Sequence, residues 1–213
     1  MLIEVNDNSL FGILIILIII AAVVIIGVWL IKLLSAGELP HIETPEKRAG
    51  RQGERIASYI IREIMVEDDV LLTNVHIEAE GKETEIDNLI VNSNGVFIIE
   101  VKNYAGDLFG GEDDFEWIKN KFTPGGSFYQ KKVKNPIKQA KRQVYILSHY
   151  LKDNKINVWI EGYAFLIQMN SPVESPYMLK TQNDIDRVIH NKANKQLPKY
   201  KKERIIQMLT KRQ

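Results

Sequence analysis

Asp87, Glu100 and Lys102 sit near the ends of two apolar runs, "TEIDNLIV" and "VFIIEVKNY". Side chains alternate along a strand, so Glu100 and Lys102 share one face while Val101 takes the other. The runs are joined by "NSNG", whose Asn and Gly tolerate positive φ. A two-residue turn at Ser93-Asn94, or a four-residue loop, puts Val91 opposite Val96 and, counting outward, Asp87 opposite Glu100. Directly opposed carboxylates destabilise a sheet, and each raises the other's pKa. A divalent cation between them offsets this, and hard oxygen ligands suit Mg²⁺. The Val101 carbonyl offers one more oxygen. Lys102 would then hold a water or hydroxide, or neutralise charge on a phosphate. Such a set fits metal-assisted phosphodiester hydrolysis. Two other readings stand beside it. The charged pair is the frayed, solvated end of a core strand, or a three-residue loop with a bulge pairs Asp87 with Ile99 or Val101.

These residues need a sheet and helices to position them. "RQGERIASYIIREIM" carries Ile56, Ile60, Ile61, Ile64 and Met65 at helical spacing. "VLLTNVHIE" precedes the two strands above, and "FEWIKNK" reads as a candidate fourth, followed by a "PGGS" loop. Asn135 has the chemistry of an N-cap and Pro136 that of a first helical residue. The helix behind them has Ile137, Ala140, Val144, Leu147 and Leu151 on one stripe, with Lys138, Lys141 and Arg142 on other faces. "NVWIEGYAFLIQMN" supplies one or two strands, and "NDIDRVIH" and "KYKKERIIQMLTKR" supply closing helices. The order predicts an α/β sandwich around a mixed sheet.

The chain of 213 residues suggests one domain and an appendage. It has no cysteine, which excludes disulfides and thiolate metal sites. His41, His76, His149 and His190 are scattered without zinc-like spacing and read as surface or loop residues. The net charge of +1 hides segregation: Lys119 to Lys155 holds ten Lys or Arg against one acid, Asp153. That asymmetry points to a polyanionic partner or, more blandly, to a solvated helix face.

"LFGILIILIIIAAVVIIGVWLI", Leu10 to Ile31, carries no charge. As a helix it rises about 33 Å, enough for a hydrocarbon core of about 30 Å. A cleaved signal peptide would have a basic start and a shorter apolar core, whereas Glu4 and Asp7 precede this one. Lys32, Lys47, Arg48 and Arg51 follow it, which puts the C-terminal side in the cytoplasm. The expected organisation is a single-pass transmembrane anchor over residues 1–34, in the lipid bilayer through residues 10–31, a linker over 35–49, and a domain over 50–213.

Five marks occur in order: "GE" at Gly53-Glu54, "EID" ending at Asp87, "IIEVKNYAGDLFG" with Glu100 and Lys102, Trp117 in "FEWIK", and "NPIKQA" with Gln139. Together they resemble the nuclease-related domain family, NERD, itself similar to the PD-(D/E)xK restriction-endonuclease-like superfamily. The match runs roughly from Gly50 to Leu151, about half of the chain. The resemblance implies a restriction-endonuclease-like mixed sheet flanked by helices. It implies Asp87 and Glu100 as Mg²⁺ (or Mn²⁺) ligands and Lys102 as the water-positioning or charge-stabilising group. Glu54 would assist the metal or orient a water, and Gln139 would touch the site or the nucleic-acid backbone. Trp117 reads better as core packing than as a base-stacking surface. The expected partner is nucleic acid, DNA ahead of RNA, with phosphates on Lys138, Lys141 and Arg142. The leading expectation is thus a membrane-anchored, metal-dependent nuclease facing the cytoplasm. Its alternatives are a non-catalytic nucleic-acid- or partner-binding module at the membrane, and a basic domain held on anionic lipid.

Overall fold

The computed structural model describes residues 7–35, 44–122, 125–191 and 196–210. The chain divides into two units, Met1–Thr44 and Pro45–Gln213. The first holds helix α1, Asp7–Ser35. Its side chains from Leu14 to Ile31 are largely exposed, and Leu14–Lys32 is long and apolar enough to cross a membrane. Residues 36–43, most of the expected linker, lie outside the described residues. Of the rest of that linker, Ser35 ends α1, Thr44 is not helical, and residues 45–49 are helical. Helix α2 spans Pro45–Ile64, and Pro45 opens it at a position where a missing N–H costs nothing. Lys47, Arg48 and Arg51 are therefore residues of α2.

The second unit is built on a five-stranded sheet: β1 (Val70–Ala79), β2 (Lys82–Asn92), β3 (Gly95–Lys102), β7 (Ile160–Leu166) and β8 (Met178–Leu179), in that spatial order. β1–β2 and β2–β3 are antiparallel, whereas β3–β7 and β7–β8 are parallel. Parallel neighbours need a crossover, and α3 (Pro136–Asp153) lies on the path between β3 and β7. Gly162 of β7 lets α3 close in, since a Cβ there would meet the Val144 side chain at 2.6 Å.

Alternation in β3 divides the core. Val96 and Ile98 join a cluster with Ile146, Leu147 and Leu151 of α3, and with Ile205 and Leu209 of α5 (Lys199–Thr210). Phe97, Ile99 and Val101 join Ala57 and Ile61 of α2, and Ile185 and Ile189 of α4 (Gln182–Ile189). Helices thus cover both faces of a mixed sheet, as the element order predicts. His190 is no isolated surface residue: it bridges Asp186, at 2.7 Å, to the buried Asp69, at 2.9 Å.

A second sheet of three antiparallel strands lies between β3 and α3 in the chain: β4 (Asp107–Phe109), β5 (Glu116–Phe122) and β6 (Phe128–Lys134). Of these, the sequence pattern predicts only β5. Trp117 is fully buried there, donates from Nε1 to Gly111 O at 2.8 Å, and packs with Leu108, Val133 and Ile137. It is core, and no face of it is offered to a base.

Candidate active site

The β2–β3 hairpin turns on two residues, Ser93 and Asn94. The buried Asn92 accepts the N–H groups of Asn94 and Gly95 on its side-chain oxygen, at 2.9 and 3.2 Å. Val91 faces Val96, and the ladder runs outward to Asn88 opposite Ile99. The next step puts Asp87 across from Glu100, and there the ladder stops. Asp87 Oδ2 instead accepts the Val101 N–H at 3.0 Å. On its other side, the β1–β2 pairing skips Asn74, which takes φ +53 across from Asp87. Asp87 thus stands where both of its ladders are interrupted.

Glu100 is fully buried. Its Oε1 accepts from the Lys102 ammonium. Its Oε2 accepts from Gln143 Nε2 of α3 at 2.5 Å, and the same amide nitrogen reaches Glu85 O at 2.9 Å. This is no frayed strand end: β3 continues beside β7 through Lys102, opposite Leu166. Burial raises the Glu100 carboxyl, Lys102 opposes, Asp87 adds its repulsion, and the group ends at about 7. Asp87 is also pushed up, by burial first and by Glu85 last, against Lys102 and the Val101 N–H. Burial pulls the Lys102 ammonium down, but Glu100 and Asp87 outweigh it and hold the lysine protonated. Lys102 is therefore a cationic donor here, not a base.

Glu54 reaches this cluster from α2. Its carboxyl is raised by burial and then by Asp87 and Glu85. The preceding residue explains the approach. A Cβ on Gly53 would lie 2.6 Å from Asn103 Cβ, so only glycine lets α2 close on the exit of β3. Asn103 fastens the contact: it donates to Ala49 O at 2.9 Å and accepts from Gln168 at 2.8 Å.

Gln139 does not make the contact to Glu100; Gln143, one turn further along α3, does. Gln139 Oε1 and Gln143 Oε1 are both buried without a hydrogen-bond partner among the described residues. Gln143 escapes a sequence reading because a glutamine within an apolar stripe reads as solvated. Its position between Ala140 and Leu147, on the stripe itself, is the signal that marks it as buried.

A cleft of about 450 Å³ opens beside the cluster, with Glu54, Val101, Lys102 and Tyr104 on one side and Lys119, Lys121, Tyr129 and Lys131 of β5 and β6 on another. A second groove of about 420 Å³ is also bordered by Glu54 and carries Arg51, Arg55 and Arg62 of α2. The three basic residues expected to meet phosphates are placed elsewhere. Lys138 pairs with Asp113 at 2.8 Å and Lys141 with Glu112 at 3.1 Å, and Arg142 donates to Glu83 O at 3.0 Å. None of them borders the cleft. Among the described residues no group of three or more Asp, Glu or His side chains is arranged around one point to hold a metal. The carboxylates at the site are the pair Asp87 and Glu100, and Val101 of β3 lines the cleft.

The model of the nuclease-related domain matches residues 49–167, more than half of the chain. The chain belongs to the NERD family. All five marks, the hairpin and the crossover helix lie within the match, while α1, α4 and α5 lie outside it. An uncharacterised protein of Bacillus anthracis is 29% identical over 99 residues, which cover 46% of this chain and 44% of that protein. The chain thus spans less than half the length of that relative. No solved structure matches it significantly.

Proposed function

We propose that this NERD domain is a metal-dependent nuclease that hydrolyses phosphodiester bonds of nucleic acid, held at the membrane by α1 with the domain in the cytoplasm. The observation that carries the reading is Asp87, Glu100 and Lys102 gathered at the end of β3 beside a cleft with a basic wall. The same arrangement is consistent with the PD-(D/E)xK pattern.

The residues fit a hard divalent cation. Glu100 is fully buried and Asp87 beside it partly so, and both carboxyls have raised pKa values, which is the electrostatic cost that a cation would remove. A pair of carboxylates is a small donor set, and Mg²⁺ commonly accepts one or two, completing its shell with waters and substrate phosphates. Asp87 and Glu100 would hold the ion, with the Val101 carbonyl as a further oxygen; Mn²⁺ fits the same donors. When bound, the ion would activate water and polarise the phosphate. The protein's own groups do the rest. Gln143 and Lys102 hold the two oxygens of Glu100 in place. The protonated Lys102 offsets charge that builds on the phosphate in the transition state. Glu54, its carboxyl raised by burial and by Asp87, orients a water by hydrogen bonding. Incubating the full chain in detergent with plasmid, linear DNA and RNA, with Mg²⁺ and with EDTA, tests the reading. Metal-dependent product supports it; none on any of the three substrates sinks it.

A further inference from the structure

The β5–β6 hairpin has a face that its own fold does not explain. By register, Trp117 lies opposite Val133, Lys119 opposite Lys131, and Lys121 opposite Tyr129. Alternation puts all six on one face. The first pair is core, and the other four residues border the cleft. Directly opposed like charges destabilise a strand pair, yet here two lysines face each other with a third two residues along. Relief is partial. Lys131 reaches Glu46 at 2.8 Å. The Lys119 ammonium lies 5.9 Å from the Tyr104 ring centre, and burial lowers its pKa against the pull of Glu46, with Lys131 and Lys121 adding to the lowering. An anion in the cleft would relieve the remainder.

Glu54 and Lys102 line the same cleft, so whatever the lysines bind there lies beside the candidate active site. The cleft holds about 450 Å³, within the range of about 300–1,000 Å³ that takes one small organic ligand. That admits one or two nucleotides of a single strand and no stiff double helix. Glu100 is fully buried and does not itself line the cleft, but its ion-pair partner Lys102 does. Tyr104 and Tyr129 stand in the cleft, and aromatic side chains beside a cationic track are what an unpaired base stacks on.

We infer that the Lys119, Lys121, Lys131 and Tyr129 face of this hairpin guides one unpaired polynucleotide strand to Glu54 and Lys102, so that the protein selects single-stranded over duplex nucleic acid. This rests on the nuclease reading for its purpose, but it is tested separately from cleavage. The full chain in detergent is titrated, in EDTA, with a fluorescent single-stranded oligonucleotide, its duplex, and mixed micelles of phosphatidylserine. The single strand binds roughly tenfold or more tighter than the duplex. Lys119→Gln with Lys121→Gln weakens that binding, and the slope of log affinity against log salt drops by about 1.4, since each phosphate left without its lysine takes about 0.7 from the slope. Lys119→Arg with Lys121→Arg retains both. Tyr129→Ala weakens the single strand more than the duplex. Lys138→Ala with Lys141→Ala changes neither. Equal or tighter duplex binding overturns the inference, as does an unchanged salt slope in the double glutamine variant. Loss of micelle binding without loss of oligonucleotide binding overturns it too and assigns the face to lipid. If the strand preference holds but the wild type never cleaves with Mg²⁺, the path stands and the nuclease reading falls. If the double variant cleaves dilute substrate at the wild-type rate, the nuclease reading stands and the path falls.

Discussion

The proposed chemistry rests on one fully buried carboxylate, Glu100, set beside the partly buried Asp87 and Lys102. Glu100 holds its proton more tightly folded than unfolded, its pKa moving from 4.5 to about 7. A raised carboxyl contributes stability at low pH and loses it as pH rises through the folded value. In chelator, stability should therefore fall across that window, measured as urea midpoints from about pH 5 to about pH 8. Glu100→Gln should flatten the dependence without removing it, because Asp87 is raised as well. A slope that is unchanged in Glu100→Gln would mean that Glu100 is not the titrating group. Gln143→Ala should loosen Glu100, whose Oε2 then has no donor from α3. The cost should be about 1–3 kcal/mol, because a buried acceptor is left unpaired, and urea denaturation measures it. An unchanged urea midpoint would mean that the contact does not hold Glu100. At this scale the carboxylate pair is legible in the sequence, because the Asn-rich turn and the period-two pattern leave little freedom of register. Gln143 is not legible as a partner of Glu100. Its neighbours on the stripe are apolar, and what buries it is a carboxylate from a strand over forty residues away.

The elements matter through close approach. α2 brings Glu54 to the site because Gly53 lies against Asn103. Gly53→Ala should cost about 1–3 kcal/mol, the usual penalty for overpacking, and should lower any turnover by displacing Glu54. Gly53→Ala with Asn103→Gly should recover part of both. A neutral Gly53→Ala in urea denaturation would contradict the contact. Element identities follow well from the sequence where burial on one face imposes a clear period: α2, β1 to β3 and α3 with its Asn135 cap, which accepts the Ile137 N–H at 2.9 Å. β4 and β6 do not follow. β4 is only three residues, Asp107–Phe109. β6 reads "FYQKKVK" and buries only Val133, so it has almost no apolar alternation to detect. The basic residues of α3 read correctly as a charged face, but sequence does not tell that Glu112 and Asp113 come back to pair with them.

At the scale of the molecule, an apolar helix and a folded α/β unit are separate units joined near Thr44. Removing residues 1–44 should leave a soluble, cooperatively folding protein, since all three core clusters draw only on residues from Ala57 onward. Insolubility of Pro45–Gln213 beside a well-behaved full chain in detergent would contradict that division. If one divalent cation lies between Asp87 and Glu100, as proposed, the melting temperature of the full chain responds to Mg²⁺. A ligand that binds only the native state raises stability by mass action. Wild type and Lys102→Ala should both be stabilised by Mg²⁺, the lysine being no ligand. Asp87→Ala and Glu100→Ala should show no Mg²⁺ shift; in chelator Asp87→Ala should lie near wild type, with the repulsion gone, whereas Glu100→Ala should be less stable, because Lys102 and Gln143 lose their buried partner. A Mg²⁺ response that is the same in all four proteins, or absent in wild type, would contradict the account.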